Sequence, residues 1–261
     1  MQSMEVKDQW VDTKAGRLFV RSWISDCFKG KNPIILFHDS LGCVELWRDF
    51  PVALSSVTER NVIAYDRLGY GRSDAREAAL TMDFIAEEAE NSFLPMVKQL
   101  GLKKAVLFGH SVGGGMALVC ASHFAEPCEA VITESAQSFV ENCTLEGIIL
   151  AKKNHIEANQ IERLSKYHGK KARWVFDSWT ETWLDPRFAS WSLREDLPGV
   201  KCPVLGIHGD RDEFGSIAHL QLIEKLTGGV SEVKILSNCG HVPHREQRDV
   251  VLRVVKDFLK R

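Results

Sequence analysis

The sequence predicts an α/β protein built on a mostly parallel, doubly wound sheet. Two observations carry that expectation. Short apolar runs bounded by turn residues recur along the chain, and longer amphipathic or small-residue helical patterns separate them. The runs are apolar on both faces, as befits strands of a parallel sheet covered by helices on either side. A third observation modifies the picture: one long helical interval interrupts the alternation and predicts an insertion.

Taken in order, Val11 to Val20 and Arg21 to Ser25 alternate around Lys14-Ala15-Gly16 and predict an antiparallel hairpin at one sheet edge. Buried strands are predicted at Pro33–Phe37, Asn61–Tyr65, Ala105–Phe108, Ala130–Thr133, Pro203–Ile207 and Glu232–Leu236. Helices are predicted over Thr81–Leu100 and Gly114–Phe124. Between Gln137 and Pro198 there is no strand candidate, only helical stretches dense in charge and tryptophan. The predicted organisation is a core of residues 1–136 and 199–261 with a helical cap, 137–198, inserted into it. No internal repeat or low-complexity tract is present.

Composition narrows the function classes. With 44% hydrophobic and 26% charged residues in 261, the chain can bury a sizeable core. A formal net charge of −2 gives no global pull toward nucleic acid or an anionic membrane, so neither is expected as a partner. Seven scattered cysteines with no C-x-x-C pair predict buried thiols rather than disulfides or a zinc site, and no metal or cofactor is expected. The amino-terminal MQSMEVKDQW lacks an apolar segment of the secretory type, and no stretch approaches the roughly 18 apolar residues of a membrane span, so a cytoplasmic location is expected. The expected partner is a small-molecule substrate; nothing in the sequence bears on oligomeric state.

The chemistry centres on Gly109-His110-Ser111-Val112-Gly113, which closes a strand and opens a helix. A G-x-S-x-G turn of this kind lifts a serine out of the chain, its glycines letting strand and helix approach closely. A phosphate-binding loop is excluded on residue type, because Gly114-Gly115-Met116 follows where Gly-Lys-Ser/Thr is needed. A serine hydroxyl needs a base to take its proton and a carboxylate to orient that base. Candidates lie beyond two later strands: His208-Gly209-Asp210-Arg211-Asp212 after PVLGI, and Asn238-Cys239-Gly240-His241 after EVKIL. The chain order Ser, Asp, His matches that of α/β-hydrolases, and catalytic groups of open parallel sheets lie beyond the carboxyl ends of the strands.

On these motifs the sequence resembles the serine esterase type of α/β-hydrolase-fold protein over nearly its whole length. Beside GHSVG it carries FHDSLG (37–42), similar to the family's H-G-x, and YDRLGYGRSD (65–74), similar to D-x-x-G-x-G-x-S. GDRD (209–212) is similar to G-x-x-D, and GHVPHREQ (240–247) to G-H-x-x-x-x-E. The resemblance implies Ser111 as nucleophile, His241 as base and Asp212, rather than its neighbour Asp210, as the orienting acid. It implies backbone N–H groups of Ser40 and Val112 as oxyanion donors. Asp39 stands where glycine is usual; its carboxylate is expected to turn from the oxyanion position and cap the loop. Asp66, Arg67, Gly69 and Gly71 read as structural support for the turn at Ser111. A serine at this turn sets the chain apart from the dehalogenases and epoxide hydrolases of the fold, which use aspartate. The carbon–carbon hydrolases usually carry Trp after the histidine, where this chain has Val242.

Within the cap, Tyr167, Trp174, Phe176, Trp179, Trp183, Phe188 and Trp191 are dense. Most are expected to pack inward, and one or two of Trp174, Trp179 and Trp183 to line a substrate pocket. The basic run Lys166–Arg173 reads as a solvated cap face, with an acidic carrier group as the rival reading. The expected function is hydrolysis of a small to medium apolar or aromatic carboxylic ester, thioester or lactone through an acyl-enzyme on Ser111. Two alternatives stand beside it. One is carbon–carbon hydrolysis on the same fold. The other is a non-catalytic binding protein, which a missing Ser, Asp or His would favour; none is missing.

Overall fold

A computed structural model describes residues 4–157 and 160–260. Its strands are β1 (Glu5–Thr13), β2 (Gly16–Ile24), β3 (Ile34–Phe37), β4 (Val62–Tyr65), β5 (Ala105–His110), β6 (Cys128–Glu134), β7 (Val204–Gly209) and β8 (Ser231–Leu236). They form one eight-stranded sheet in the order β1-β2-β4-β3-β5-β6-β7-β8. The β1–β2 and β2–β4 pairings are antiparallel and every other pairing is parallel. The hairpin turns at Lys14-Ala15, and Gly16 sits at φ 145°, a conformation that L side chains rarely adopt.

The helices are α1 (Phe50–Thr58), α2 (Phe84–Glu88), α3 (Leu94–Gln99), α4 (Val112–His123), α5 (Asn142–Glu157), α6 (Gln160–His168), α7 (Ala172–Leu184), α8 (Ala218–Leu226), α9 (Pro243–Glu246) and α10 (Arg248–Phe258). Alternation along the central strands divides the core in two. Ile35, Phe37 and Leu107 pack with α2, α3 and α4, through residues such as Phe84, Met96 and Met116, on one face. Ile34, Leu36, Val106 and Phe108 pack with α1 and α10, through Phe50, Leu54, Val251 and Val255, on the other. Apolar runs two-sided in sequence are therefore two-sided in space.

Two elements depart from the sequence reading. The run at Glu232–Leu236 was expected to be a buried strand, but β8 is the terminal strand of the sheet. Only its Leu236 is buried, and Ile235 is 47% exposed, because an edge strand has a neighbour on one side only. The helix expected over 81–100 contains a widened π turn, Ala89–Phe93, between α2 and α3. It lies just ahead of Pro95, whose ring excludes the preceding carbonyl from an ordinary helical turn.

Between β6 and β7 the described residues hold α5, α6, α7 and short 3-10 turns, with no named strand and one isolated bridge, Phe139 to Ser192. In the basic run of this interval Lys166, Lys170 and Arg173 are exposed, while His168 and Lys171 are tied down. Gly71 N–H donates to His168 Nδ1 at 2.9 Å, and His168 Nε2 donates to Leu41 O at 3.0 Å. Lys171 Nζ donates to Tyr70 O at 3.0 Å and also to Ser73 O. The interval therefore clasps the loops after β3 and β4, and Leu41 adjoins Ser40. Among the described residues no helix is long and apolar enough to cross a membrane.

Candidate active site

The turn between β5 and α4 places Ser111 at φ 57°, ψ −126°, a strained conformation for a residue with a side chain. Gly109 and Gly113 make the turn possible. A Cβ on Gly109 would lie 2.2 Å from Gly113 O, and one on Gly113 would lie 2.2 Å from Phe37 O. No side chain fits either place. Ser111 N–H is anchored to Glu134 O on the neighbouring strand at 2.8 Å.

Asp212, His241 and Ser111 form a continuous hydrogen-bonded chain. His241 Nδ1 donates to Asp212 Oδ1 and Oδ2 at 2.8 and 2.9 Å, and Ser111 Oγ donates to His241 Nε2 at 3.0 Å. The Asp212 side chain is fully buried and also accepts from Phe214 N at 2.8 Å. Asp210 lies at the exposed start of the same loop, and among the described residues its carboxylate accepts only from Cys239 N, at 3.4 Å. The backbone on either side of His241 is pinned by one carboxylate: Gly240 N and Val242 N donate to Glu246 at 2.7 and 3.0 Å.

Electrostatics favour a basic imidazole. Burial works against charge on His241, but the hydrogen bond and charge of Asp212, helped by Asp39 and Glu213, hold its pKa above the usual value. Burial likewise opposes ionisation of Asp212, and the His241 hydrogen bond outweighs it, keeping that carboxyl below its usual range. Beneath the turn lies a group that sequence reading missed. His244 Nδ1 and Glu134 Oε2 are 2.7 Å apart, and His110 Nε2 donates to His241 O at 2.7 Å. Burial pushes the Glu134 carboxyl up and the His244 imidazole down, so each is biased toward its neutral form. Burial also pushes His110 down to about 4, so its ring is neutral.

The N–H groups of Ser40 and Val112 donate to no acceptor among the described residues. Asp39 does not cap this loop through its carboxylate. Its backbone carbonyl does the bracing, accepting from His38 Nδ1 at 2.8 Å and Arg67 Nη2 at 2.7 Å, while Oδ2 turns to within 4.0 Å of His110 Nδ1. Asp66 supports the next turn, accepting from Val44 N at 2.6 Å and Arg72 N at 2.7 Å.

The three tryptophans singled out in the sequence part company. Trp183 is buried and packs on Phe188 and Trp191. Trp174 lies over Gly69 and Tyr70, its Nε1 donating to Ala78 O at 3.3 Å. Trp179 meets Phe214, whose ring lies 5.0 Å from that of His241, so it alone of the three reaches the Ser–His–Asp chain through a shared neighbour. Sequence reading also missed Gln137. It follows β6, is 4% exposed, and its Oε1 lies 3.2 Å from Ser111 Oγ. Among the described residues no group of three His, Cys, Asp or Glu side chains is arranged to hold a metal ion.

Comparison with known proteins agrees with this architecture. Residues 32–153 match the family model described as the alpha/beta hydrolase fold. The human serine hydrolase BPHL is 27% identical over 89% of this chain and 80% of its own length. A 2-hydroxy-6-oxononadienedioate/2-hydroxy-6-oxononatrienedioate hydrolase of Klebsiella pneumoniae is 25% identical over 100% of this chain and 98% of its own. The solved structure of the 2-hydroxy-6-oxo-6-phenylhexa-2,4-dienoate hydrolase of Rhodococcus sp. strain RHA1 superposes with a TM-score of 0.80 at 16% identity, covering 99% of this chain and 100% of that one. The chain is an α/β-hydrolase-fold protein. In sequence it is similar to hydrolases such as BPHL and the Klebsiella enzyme.

Proposed function

We propose that the protein cleaves a small to medium apolar or aromatic carboxylic ester, thioester or lactone through an acyl-enzyme on Ser111. The Ser111 Oγ proton passes to His241 Nε2 as Oγ bonds the carbonyl carbon. The N–H groups of Ser40 and Val112 receive the developing oxyanion. His241 then gives the proton to the leaving alcohol, thiol or enol as the carbonyl re-forms. Water, deprotonated by His241, hydrolyses the acyl-serine and releases the acid. Asp212 holds the imidazole in the tautomer with the proton on Nδ1 and stabilises its cation. The observation that carries the reading is the unbroken hydrogen-bonded chain from buried Asp212 to a serine on a strained turn.

The substrate class rests on the apolar wall formed by Trp179 and Phe214 beside His241. Each methylene buried there adds up to ~0.8 kcal/mol of binding until the space is filled. Across p-nitrophenyl acetate, butyrate, octanoate and benzoate, kcat/KM is expected to rise from acetate toward butyrate or benzoate, and Trp179→Ala to flatten the rise. A monotonic fall from acetate, the same in Trp179→Ala, overturns the apolar assignment. Carbon–carbon hydrolysis stands second, favoured by the full-length match to the Klebsiella hydrolase, with Val242 in place of the usual Trp against it. Turnover of a 2-hydroxy-6-oxo-dienoate in preference to every ester and thioester would reverse the order.

The raised pKa of His241 sets the acid limb of activity. Only the neutral imidazole accepts the serine proton, so kcat/KM falls as pH drops through that pKa. The Asp39 carboxylate favours the imidazolium, and Asp39→Asn is expected to lower the pKa and move the acid limb to lower pH. The check is the pH profile of kcat/KM for both proteins. A limb that stays in place or moves to higher pH shows that Asp39 does not act on His241.

A further inference from the structure

Gln137 is a buried amide with half of its hydrogen-bonding capacity unspent. Oε1 lies 3.2 Å from Ser111 Oγ, where it competes with His241 Nε2 for the one hydroxyl proton, and among the described residues Nε2 makes no hydrogen bond. Nε2 touches accessible space although the residue as a whole is 4% exposed. A donor pair open to the space beside the reacting serine is free to take an acceptor on the substrate, and a substrate that covers it without an acceptor leaves it unpaired at a cost. The apolar ring wall near His241 offers no acceptor of its own.

The sheet order says which part of a substrate Gln137 meets. The loop with Ser40 follows β3, on one flank of β5; Gln137 follows β6, on the other. The oxyanion belongs to the Ser40 and Val112 side, and His241, 3.0 Å from Oγ, lies where a leaving group is protonated. The remaining substituent on a carbon bonded to Ser111 Oγ is the acyl chain. A group within 3.2 Å of Oγ is within reach of the first atoms of that chain.

We propose that Gln137 reads the acyl group, and that the substrate class is an acyl compound carrying a hydrogen-bond acceptor within two bonds of the scissile carbonyl, such as an ether, keto or hydroxyl oxygen. The proposal rests on Ser111 being the nucleophile and deepens that reading. An incoming acceptor takes the Nε2 donor. It also holds the carboxamide in place while the Ser111 proton is committed to His241 rather than shared with Oε1. The substrate is then apolar along most of its length and polar at one place beside the reacting carbon.

A matched pair tests this. p-Nitrophenyl methoxyacetate and p-nitrophenyl butyrate have acyl chains of one length that differ by an oxygen in place of a methylene. The quantity read is the methoxyacetate-to-butyrate ratio of kcat/KM, each rate divided by that ester's hydroxide-catalysed rate. The ratio in the native protein is expected to exceed that in Gln137→Leu and in Gln137→Met by about five- to fifty-fold, the size of an unpaired buried donor. Labelling of Ser111 by a fluorophosphonate, measured in all three proteins, separates the two readings. A labelled Ser111 with the same ratio in all three overturns the role of Gln137 and leaves the nucleophile standing. A Ser111 that does not label in the native protein overturns the nucleophile and the acyl reading with it. Gln137→Asn, which keeps the donor on a shorter arm, is expected to show a ratio between that of the native protein and those of Gln137→Leu and Gln137→Met; a ratio no higher than theirs shows that only packing was lost and overturns the role of the donor.

Discussion

Replacing Ser111 with alanine is expected to cut kcat on the order of 10⁶-fold, the largest loss that any single substitution in this chain should cause. The proposed route forms and breaks a bond at Ser111 Oγ, and no other nucleophile stands within hydrogen-bond distance of His241 Nε2 among the described residues. What survives comes from binding and from oxyanion donors acting on a water attack. The fold should be almost indifferent. Alanine at φ 57° carries the same backbone strain as serine, and the change removes only the Oγ contacts with His241 and Gln137. The measurement is single-turnover hydrolysis beside thermal unfolding. A variant that keeps its melting temperature and most of its activity removes Ser111 from the mechanism. A variant that loses both says nothing special about Oγ, and Ser111→Cys, of similar shape, then decides whether a reacting atom is needed there.

Legibility from sequence followed the range of the forces involved. Strands such as β3 and β5 were readable because burial on both faces leaves an unbroken apolar run, and Ile34 and Ile35 do go to opposite cores. The reading of β8 misled, since EVKIL carries Glu232 and Lys234 between its apolar residues and is not the unbroken run of a two-sided core strand, and β8 lies at the sheet edge. Ser111, Asp212 and His241 were readable because each sits just past a strand in a motif with glycines, and parallel strands deliver such loops to one end of the sheet. Gln137 and the Glu134–His244 pair had no such signal. Their meaning arises from contacts across 26 positions of chain for Gln137 and Ser111 and 110 for Glu134 and His244, and no local pattern marks them. Asp39 was legible as an anomaly but not in its direction. Arg67 and His38 brace its carbonyl, which leaves the carboxylate to face His110 rather than cap the loop.

The second large effect separates two aspartates that the sequence places two positions apart. Asp212→Asn is expected to lower kcat on the order of 10⁴-fold, and Asp210→Asn to leave it within a few-fold. The asymmetry comes from what each carboxylate holds. Both Asp212 oxygens accept from His241 Nδ1, Oδ1 accepts from Phe214 N as well, and His208 Nε2 lies 3.5 Å from Oδ2. An asparagine there can turn its NH₂ toward His241, which drives the imidazole proton to Nε2 and leaves no lone pair facing Ser111. It also removes the negative charge that holds the His241 pKa up, so residual activity should extend to lower pH than in the native protein. Among the described residues Asp210 makes one long contact, to Cys239 N at 3.4 Å, from an exposed position, and its amide can still accept that bond. The comparison is kcat in one ester assay with melting temperatures alongside. A crippled Asp210→Asn beside an active Asp212→Asn would mean that the acid of the working enzyme is not the carboxylate bonded to His241 in this structure.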